Sequence, residues 1–398
     1  MPHFDMASVL AATIGLLALI SICLLVFERL GLGSIVAFLV AGLVTTEIRD
    51  LPTDTAVALR EFAELGVILL LFLIGLETTP RQLRELGRYA LIFGVPQIAI
   101  SAAVIGLYAW WSLPVRETAI ILGLGFALSS TVVVMPILAD RDELRTSLGQ
   151  KAFAILLAQD LAIVPMLLAV PLLANKVATG PAGAPWWWTI LRAIVAVALI
   201  IGVGRLVLPR VLKIAVRQQN AAAFVCVTFL GVLSAALAAE RAGLSMALGT
   251  FLLGAVLSIS PLGHRIAETI EPVKSTLLAL FFLSVGLSID LDIAIRSWGT
   301  LLMTTAVVMV LKFAIVAALV LLCGGTRPEA LRLGLILAQC GEFGFVLFAA
   351  AQADGLMRAQ TTTLASVLIT LSMLATPFLT RLSDQLAGPP GERTTLSR

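Results

Sequence analysis

The chain has 398 residues, of which 60% are hydrophobic and 13% charged, with a formal net charge of +3. A soluble domain carries roughly 25% charged residues, so this composition, with a mean hydropathy of +1.05, excludes one and points to an integral membrane protein. The basic residues are scattered over many loops without a long block, which leaves nucleic-acid binding without an electrostatic footprint.

Apolar runs of about 20 residues, the length an α-helix needs to cross a bilayer core, recur along the whole chain. They fall at 7–26, 30–46, 60–76, 88–111, 117–139, 147–174, 186–208, 221–239, 244–260, 271–288, 297–323, 329–351 and 361–382. The pattern predicts an all-α polytopic membrane protein with about thirteen transmembrane helices. The first run lacks a basic leader and a small-residue cleavage site, so it is expected to be a retained helix. Alternate loops receive Lys and Arg unequally, 18 against 8, with Lys312 left inside a span. By the positive-inside rule the crowded side is cytoplasmic, giving an N-terminus outside and a C-terminus inside. The cluster Trp186, Trp187 and Trp188 then falls at the outer interface. Cys23, Cys226, Cys323 and Cys340 lie within spans and show no CxxC spacing, which argues against a disulfide framework or a zinc site.

Two ionisable residues stand deep within spans: Asp160 in LLAQDLAIVP and Lys312 in VVMVLKFAIVAAL. Each costs at least about 2.5 kcal/mol at a helix centre and marks an ion or proton pathway by default. The alternatives are a buried ion pair locking two helices together, or a lysine that snorkels to an interface. Asp160 keeps polar company, because Gln159 precedes it and Pro165 and Pro171 loosen the helix beyond it.

Two further stretches look like interrupted helices. In FALSSTVVVMP, residues 126–136, Ser129, Ser130 and Thr131 can bond backbone or an ion, and Pro136 removes a backbone donor. In LAQCGEFGF, residues 337–345, Gly341 and Gly344 flank Glu342. Unwound backbone at mid-membrane is tolerated only inside protein or beside a water-filled cavity. The two stretches fall in the fifth and twelfth predicted spans, seven apart. An odd offset reverses direction across the membrane, as an inverted repeat with a site between broken helices requires. Glu342 fits either direct ion contact or the cap of a half-helix, and ordinary Ser/Thr helix packing remains an alternative for the first stretch.

The segments LGVILLLFLIGLE (65–77), ALSSTVVVMPILAD (127–140), LLAQDLAIVP (156–165), GLSMALGTFLLGAVL (243–257), IEPVKSTLLALFFLSVGLSID (270–290) and LAQCGEFGFVLFAAAQ (337–352) resemble the monovalent cation:proton antiporter-2 family. Within it they are most similar to the membrane domain of Kef-type, glutathione-gated potassium efflux antiporters. The resemblance runs over nearly the whole chain. It implies a homodimer in the bacterial inner membrane, a core and a dimerisation subdomain within residues 1–385, and two crossed discontinuous helices. It also implies that Asp160 binds the cation and the proton, and that Gln159, the neutral neighbour found in potassium-linked members, and Ser130 and Thr131, the polar residues of the unwound fifth helix, complete the ion-binding set. Lys312 matches the lysine of the eleventh helix. Two features depart from the resemblance. The family's regulatory loop reads His-Ala-Leu-Glu-Ser-Asp, whereas this chain reads HRIAET, keeping His264 and placing Ala267, Glu268 and Thr269 at the last three positions. Residues 386–398, expected to form a cytoplasmic tail, hold no GxGxxG of a nucleotide-binding regulatory domain, and with the altered loop this leaves glutathione gating open.

A carboxylate at mid-membrane can hold a proton or a monovalent cation, and competition disfavours holding both. One carboxylate beside a neutral Gln159 predicts one proton exchanged per cation, hence electroneutral transport, with K+ implied chiefly by the resemblance. A sodium/proton antiporter and a sodium-coupled solute symporter of similar fold are the rival readings. No cofactor is expected, and no metal beyond the transported K+ or Na+. An intramembrane hydrolase would need an Asp pair, a Ser/His arrangement or HExxH, and the two histidines, His3 and His264, lie outside the spans, so no enzymatic role is expected.

Overall fold

The computed structural model describes residues 6–30, 33–48, 65–66, 68–76, 87–113, 115–174 and 186–387. Helices joined by turns and short breaks make up these residues, with no strand among them. The chain opens with α1 (Met6–Arg29) and α2 (Gly33–Ile48). A short helix α3 follows over residues 68–76. Next come α4 (Gly87–Ser112), α5 (Arg116–Ala127), α6 (Thr131–Ala139) and α7 (Ser147–Leu173). Helix α8 runs from Trp186–Gly202 through a π turn, Val203–Val207, into Leu208–Arg217. The remainder is α9 (Ala221–Arg241), α10 (Met246–Ser258), α11 (Gly263–Leu287), α12 (Leu291–Arg296), α13 (Trp298–Leu322), α14 (Arg327–Ile336), α15 (Phe343–Ala353) and α16 (Ala359–Ala387).

Among the described residues, seven helical stretches are long and apolar enough to cross a membrane, and an eighth joins them if the bent α11 counts as one span. Hydropathy misplaced two ends. Helix α11 begins at Gly263 and not near 271, because its first turns carry His264, Arg265 and Glu268. Helix α8 continues to Arg217, well past 208, as an amphipathic extension of about two and a half turns bearing Arg210 and Lys213. Both extensions are helical but too polar for an apolar window to register. Residues 49–64, 77–86 and 388–398, with Arg81 and Arg84, the start of the run at 60–76 and most of the expected tail, lie outside the described residues, as do the side chains of Trp186, Trp187 and Trp188.

Helix starts follow capping chemistry. Thr146 opens α7, Asn220 α9, Ser245 α10, Asp290 α12 and Thr326 α14, each side chain accepting a backbone N–H of the first turn. Thr326 and Glu329 flank Pro328 at the second helical position, the spacing of a capping box. One apolar cluster joins α3, α8, α9, α10 and the start of α11, through Phe72, Leu212, Val232, Leu253 and Ile266. A second surrounds the broken helices, bringing together Phe126, Leu167, Phe282, Phe345 and Ile369.

An inverted repeat is visible in the packing. Gly42 on α2 meets Gly286 on α11 so closely that a Cβ on either would run into the other helix's backbone, at the Leu283 or Leu39 carbonyl. Gly75 on α3 meets Gly254 on α10 in the same way, against the Phe251 and Phe72 carbonyls. Gly75 and Gly286 lie 211 positions apart, as do the first residues of α4 and α13 and of α5 and α14. Helix α2 therefore crosses α11 as α10 crosses α3, which is the exchange of partners a two-fold relation produces. Close approach through small residues suits a lipid environment, where van der Waals contact drives helix association.

Candidate cation-binding site

The two broken spans cross where they unwind. Helix α5 stops at Ala127, and Leu128 and Ser130 take extended conformations before α6 begins at Thr131. Helix α14 stops at Ile336, and α15 begins at Phe343. In the crossing the Gly341 N–H donates to the Leu128 carbonyl at 3.0 Å, and the Ser129 hydroxyl donates to the Leu337 carbonyl at 2.9 Å. A Cβ at Gly341 would lie 2.6 Å from the Ser129 carbonyl oxygen, so only glycine lets the two backbones pass.

Lys312 is fully buried on α13, and its ammonium donates to the Leu128 carbonyl at 2.5 Å and the Gln339 carbonyl at 2.7 Å. Those carbonyls are 211 positions apart, so the lysine bridges equivalent points of the two repeats. It also places positive charge where α5 and α14 end and their dipoles are negative. Glu342 is buried at the opposite kind of terminus. Its carboxyl accepts from the Ser130 hydroxyl and the Val132 N–H at the start of α6, and it directly precedes α15. The second Glu342 oxygen, Oε2, and the Gln339 Oε1 are buried acceptors with no hydrogen-bond donor among the described residues.

Asp160 lies at the middle of α7, half-buried, and faces the first residue of α6: the Thr131 hydroxyl is 3.3 Å from Oδ1 and 3.2 Å from Oδ2. Gln159 points instead into the protein, where its Oε1 accepts from the Ser129 N–H at 2.7 Å and its Nε2 donates to Gln97 at 2.7 Å. Helix α4 reaches this point through a π turn at Ala90–Gly94, a deformation common at functional sites. Gly94 there presses on Ala158, leaving no room for a side chain.

The structure thus brings together Asp160, Thr131, Ser130, Gln159, Lys312 and Glu342. His264 and Glu268 form an exposed pair at 3.2 Å on the first turns of α11, apart from this cluster. Sequence reasoning passed over Gln97, Gln339 and Ser372, the last of which caps the Cys340 N–H at 2.9 Å. The signal available was a buried amide or hydroxyl in an apolar run, as in VPQIAIS. A cavity of about 620 Å³ lies beyond the site, between α7, α11, α15, α16 and the turn joining α9 to α10. Its lining includes Leu167, Phe281, Phe345, Glu240 and Asp354. Leu167 is on the Asp160 face of α7, seven positions and so about 10 Å further on.

Residues 15–382 match the family model described as sodium/hydrogen exchanger, transmembrane. The chain belongs to this family. The sodium/hydrogen exchanger fold is also that of a solved structure, the sodium proton antiporter MjNhaP1 from Methanocaldococcus jannaschii at pH 8. The two share 15% sequence identity with a TM-score of 0.69, over 96% of this chain and 99% of that one. The exchanger family accounts for the coarse activity, cation:proton antiport, and for the inverted repeat with its crossed helices. Among the described residues no cluster of His, Cys, Asp or Glu could hold a resident metal ion.

Proposed function

We propose that this exchanger moves potassium against protons, one for one, through competition at Asp160. The observation that carries the reading is the half-buried Asp160 carboxylate facing Thr131 at the unwound start of α6. A dehydrated monovalent cation there meets the Asp160 oxygens and the Thr131 hydroxyl, with the buried acceptors of Gln339 and Glu342 adding negative potential nearby. A proton on Asp160 removes the charge that holds the cation. Lys312 and Ser130 support the crossing and do not bind the ion. Gln159 keeps the neighbouring position neutral, so either load leaves the same net charge on the site.

The same reading takes the molecule as a homodimer in a bacterial inner membrane with thirteen crossings, its N-terminus outside and C-terminus cytoplasmic. His264 and Glu268, on the first turns of α11 and not in a loop, are then candidates for a regulatory element on the cytoplasmic side. Sodium in place of potassium is the second reading, favoured by the family description, which names sodium.

The test is proton movement in proteoliposomes driven by K+, Na+, Rb+ or Li+. Potassium is expected to give the largest response, and Asp160→Asn to abolish it in a protein that still purifies as a single folded species. Because protons and cations compete, the apparent KM for the cation rises as pH falls through the range in which Asp160 takes up its proton. Robust exchange by folded Asp160→Asn overturns the mechanism, and a larger response to sodium replaces the first reading with the second.

A further inference from the structure

Two of the backbone groups freed by the break between α5 and α6 are met by side chains of other helices. In an unbroken helix the Ala127 carbonyl would accept the N–H of residue 131, and the Ser129 N–H would go to residue 125. Two glutamine side chains from other helices replace those bonds. The Ser129 N–H donates to Gln159 Oε1 at 2.7 Å, Gln159 Nε2 donates to Gln97 Oε1 at 2.7 Å, and Gln97 Nε2 donates to the Ala127 carbonyl at 3.0 Å and to Ser101 Oγ at 3.1 Å. The chain of bonds leaves the break at residue 129 and returns to it at residue 127. All four side chains, of Gln97, Ser101, Ser129 and Gln159, are buried to within 1% of full.

This ring can run in one direction only. A backbone N–H stands at one end and a carbonyl at the other, so neither amide can turn over without setting N–H against N–H or oxygen against oxygen. The Ser129 N–H turns the Gln159 oxygen toward the break, Gln97 Oε1 takes the Gln159 N–H, and Gln97 Nε2 is the nearer of two amide donors to the Ala127 carbonyl, the other being Gln159 Nε2 at 3.4 Å. Because Gln159 and Asp160 are adjacent on α7, and Ser129 and Thr131 nearly adjacent on the broken span, closing the ring also sets the approach of the Asp160 carboxylate to the Thr131 hydroxyl. We propose that Gln97 is a positioning residue for the cation site, fixing the spacing of Asp160 and Thr131 and requiring a neutral donor at position 159. This rests on the reading of Asp160 as the cation-binding carboxylate.

Gln97→Leu removes the link at nearly constant volume. It is expected to raise the apparent KM for the cation about tenfold or more, the size of effect seen when an outer support of an ion ligand is lost, with a smaller change in kcat. It is also expected to narrow the difference between K+ and Na+. Gln97→Glu keeps the acceptor for Gln159, but only its protonated form can donate to Ala127. Its KM, compared with the unmodified protein at each pH, should therefore be near normal on the acid side and raised on the alkaline side. A packing role alone would lower yield and turnover together and leave the KM, the K+/Na+ ratio and the pH profile unchanged. Folded Gln97→Leu with unchanged KM and ion ratio overturns the inference, and so does failure of both variants to fold. An unmodified protein that moves no protons with any cation overturns the functional reading itself, which separates the two failures.

Discussion

Lys312 is anomalous in sequence because a full positive charge sits in an otherwise apolar helix, and the structure gives that charge two carbonyl partners at helix ends. Its neutral replacement should therefore act on stability and not on stoichiometry. Lys312→Gln removes the charge and shortens the reach, leaving buried acceptors poorly met, at a cost of about 2 to 3 kcal/mol. The expected result is a lower melting temperature in detergent with an unchanged proton-to-cation ratio. A changed ratio in an active variant would make Lys312 a proton carrier. Asp160, Lys312 and Glu342 were legible for the same physical reason, that charge in oil is costly and therefore conspicuous. Gln97 was not, because a neutral amide in an apolar run resembles ordinary helix packing until its partners on α7 and at residue 127 are known.

At the scale of elements, the site depends on α6, α7 and α14 keeping their relative positions, and an ionic network at one end of these helices ties them together. Arg332 on α14 pairs with Glu143 in the turn before α7 at 2.5 Å and with Asp384 on α16 at 3.3 Å. Arg141, just after α6, pairs with the same Asp384 at 2.6 Å, and Lys151 on α7 pairs with Glu329 on α14 at 2.7 Å. Arg332 and Glu143 are both buried. Breaking such a pair from one side leaves an uncompensated buried charge and costs about 3 to 5 kcal/mol, whereas replacing both partners with apolar residues costs far less. Arg332→Met should lower the melting temperature strongly, Glu143→Leu should do so less because Arg332 keeps Asp384, and the double variant should recover much of the larger loss. Single variants that melt with the unmodified protein would show the pair to behave as a solvated surface contact. None of this was readable from the sequence. Loop charges near membrane ends look solvated, and the partners lie 189 and 243 positions apart. The two breaks, by contrast, were marked by Ser129–Thr131 with Pro136 and by Gly341 beside Glu342, residues that an uninterrupted apolar helix has no use for.

Across the whole molecule, the repeat supplies the frame and departures from it supply the chemistry. Position by position at the offset of 211, Asp160 corresponds to Leu371, Thr131 to Glu342 and Lys312 to Ser101. One half of the frame thus holds a carboxylate, and the other a leucine at the same place. Alternating access needs the loaded site to face each side in turn, and on the proposed reading the cavity lined by Leu167 and Phe345 is one of those approaches. The charges that travel with the site then decide the response to voltage. If Asp160 is the sole group whose load changes, a proton in one direction and a monovalent cation in the other carry equal charge, and no net charge crosses. An extra proton per cycle would instead couple transport to the membrane potential by about 2.3 kcal/mol per 100 mV. Exchange by the unmodified protein in liposomes is accordingly expected to proceed at the same rate at zero and at negative potential. Gln159→Asp should change this. The shorter acid withdraws from Ser129 and Gln97, and it sets a second carboxyl beside the first, where two like charges in low dielectric make one group a second proton carrier. The variant should therefore respond to voltage and shift its preference toward the smaller, more strongly hydrated sodium. Voltage-dependent exchange already present without the substitution would overturn the one-for-one mechanism, whatever the variant does.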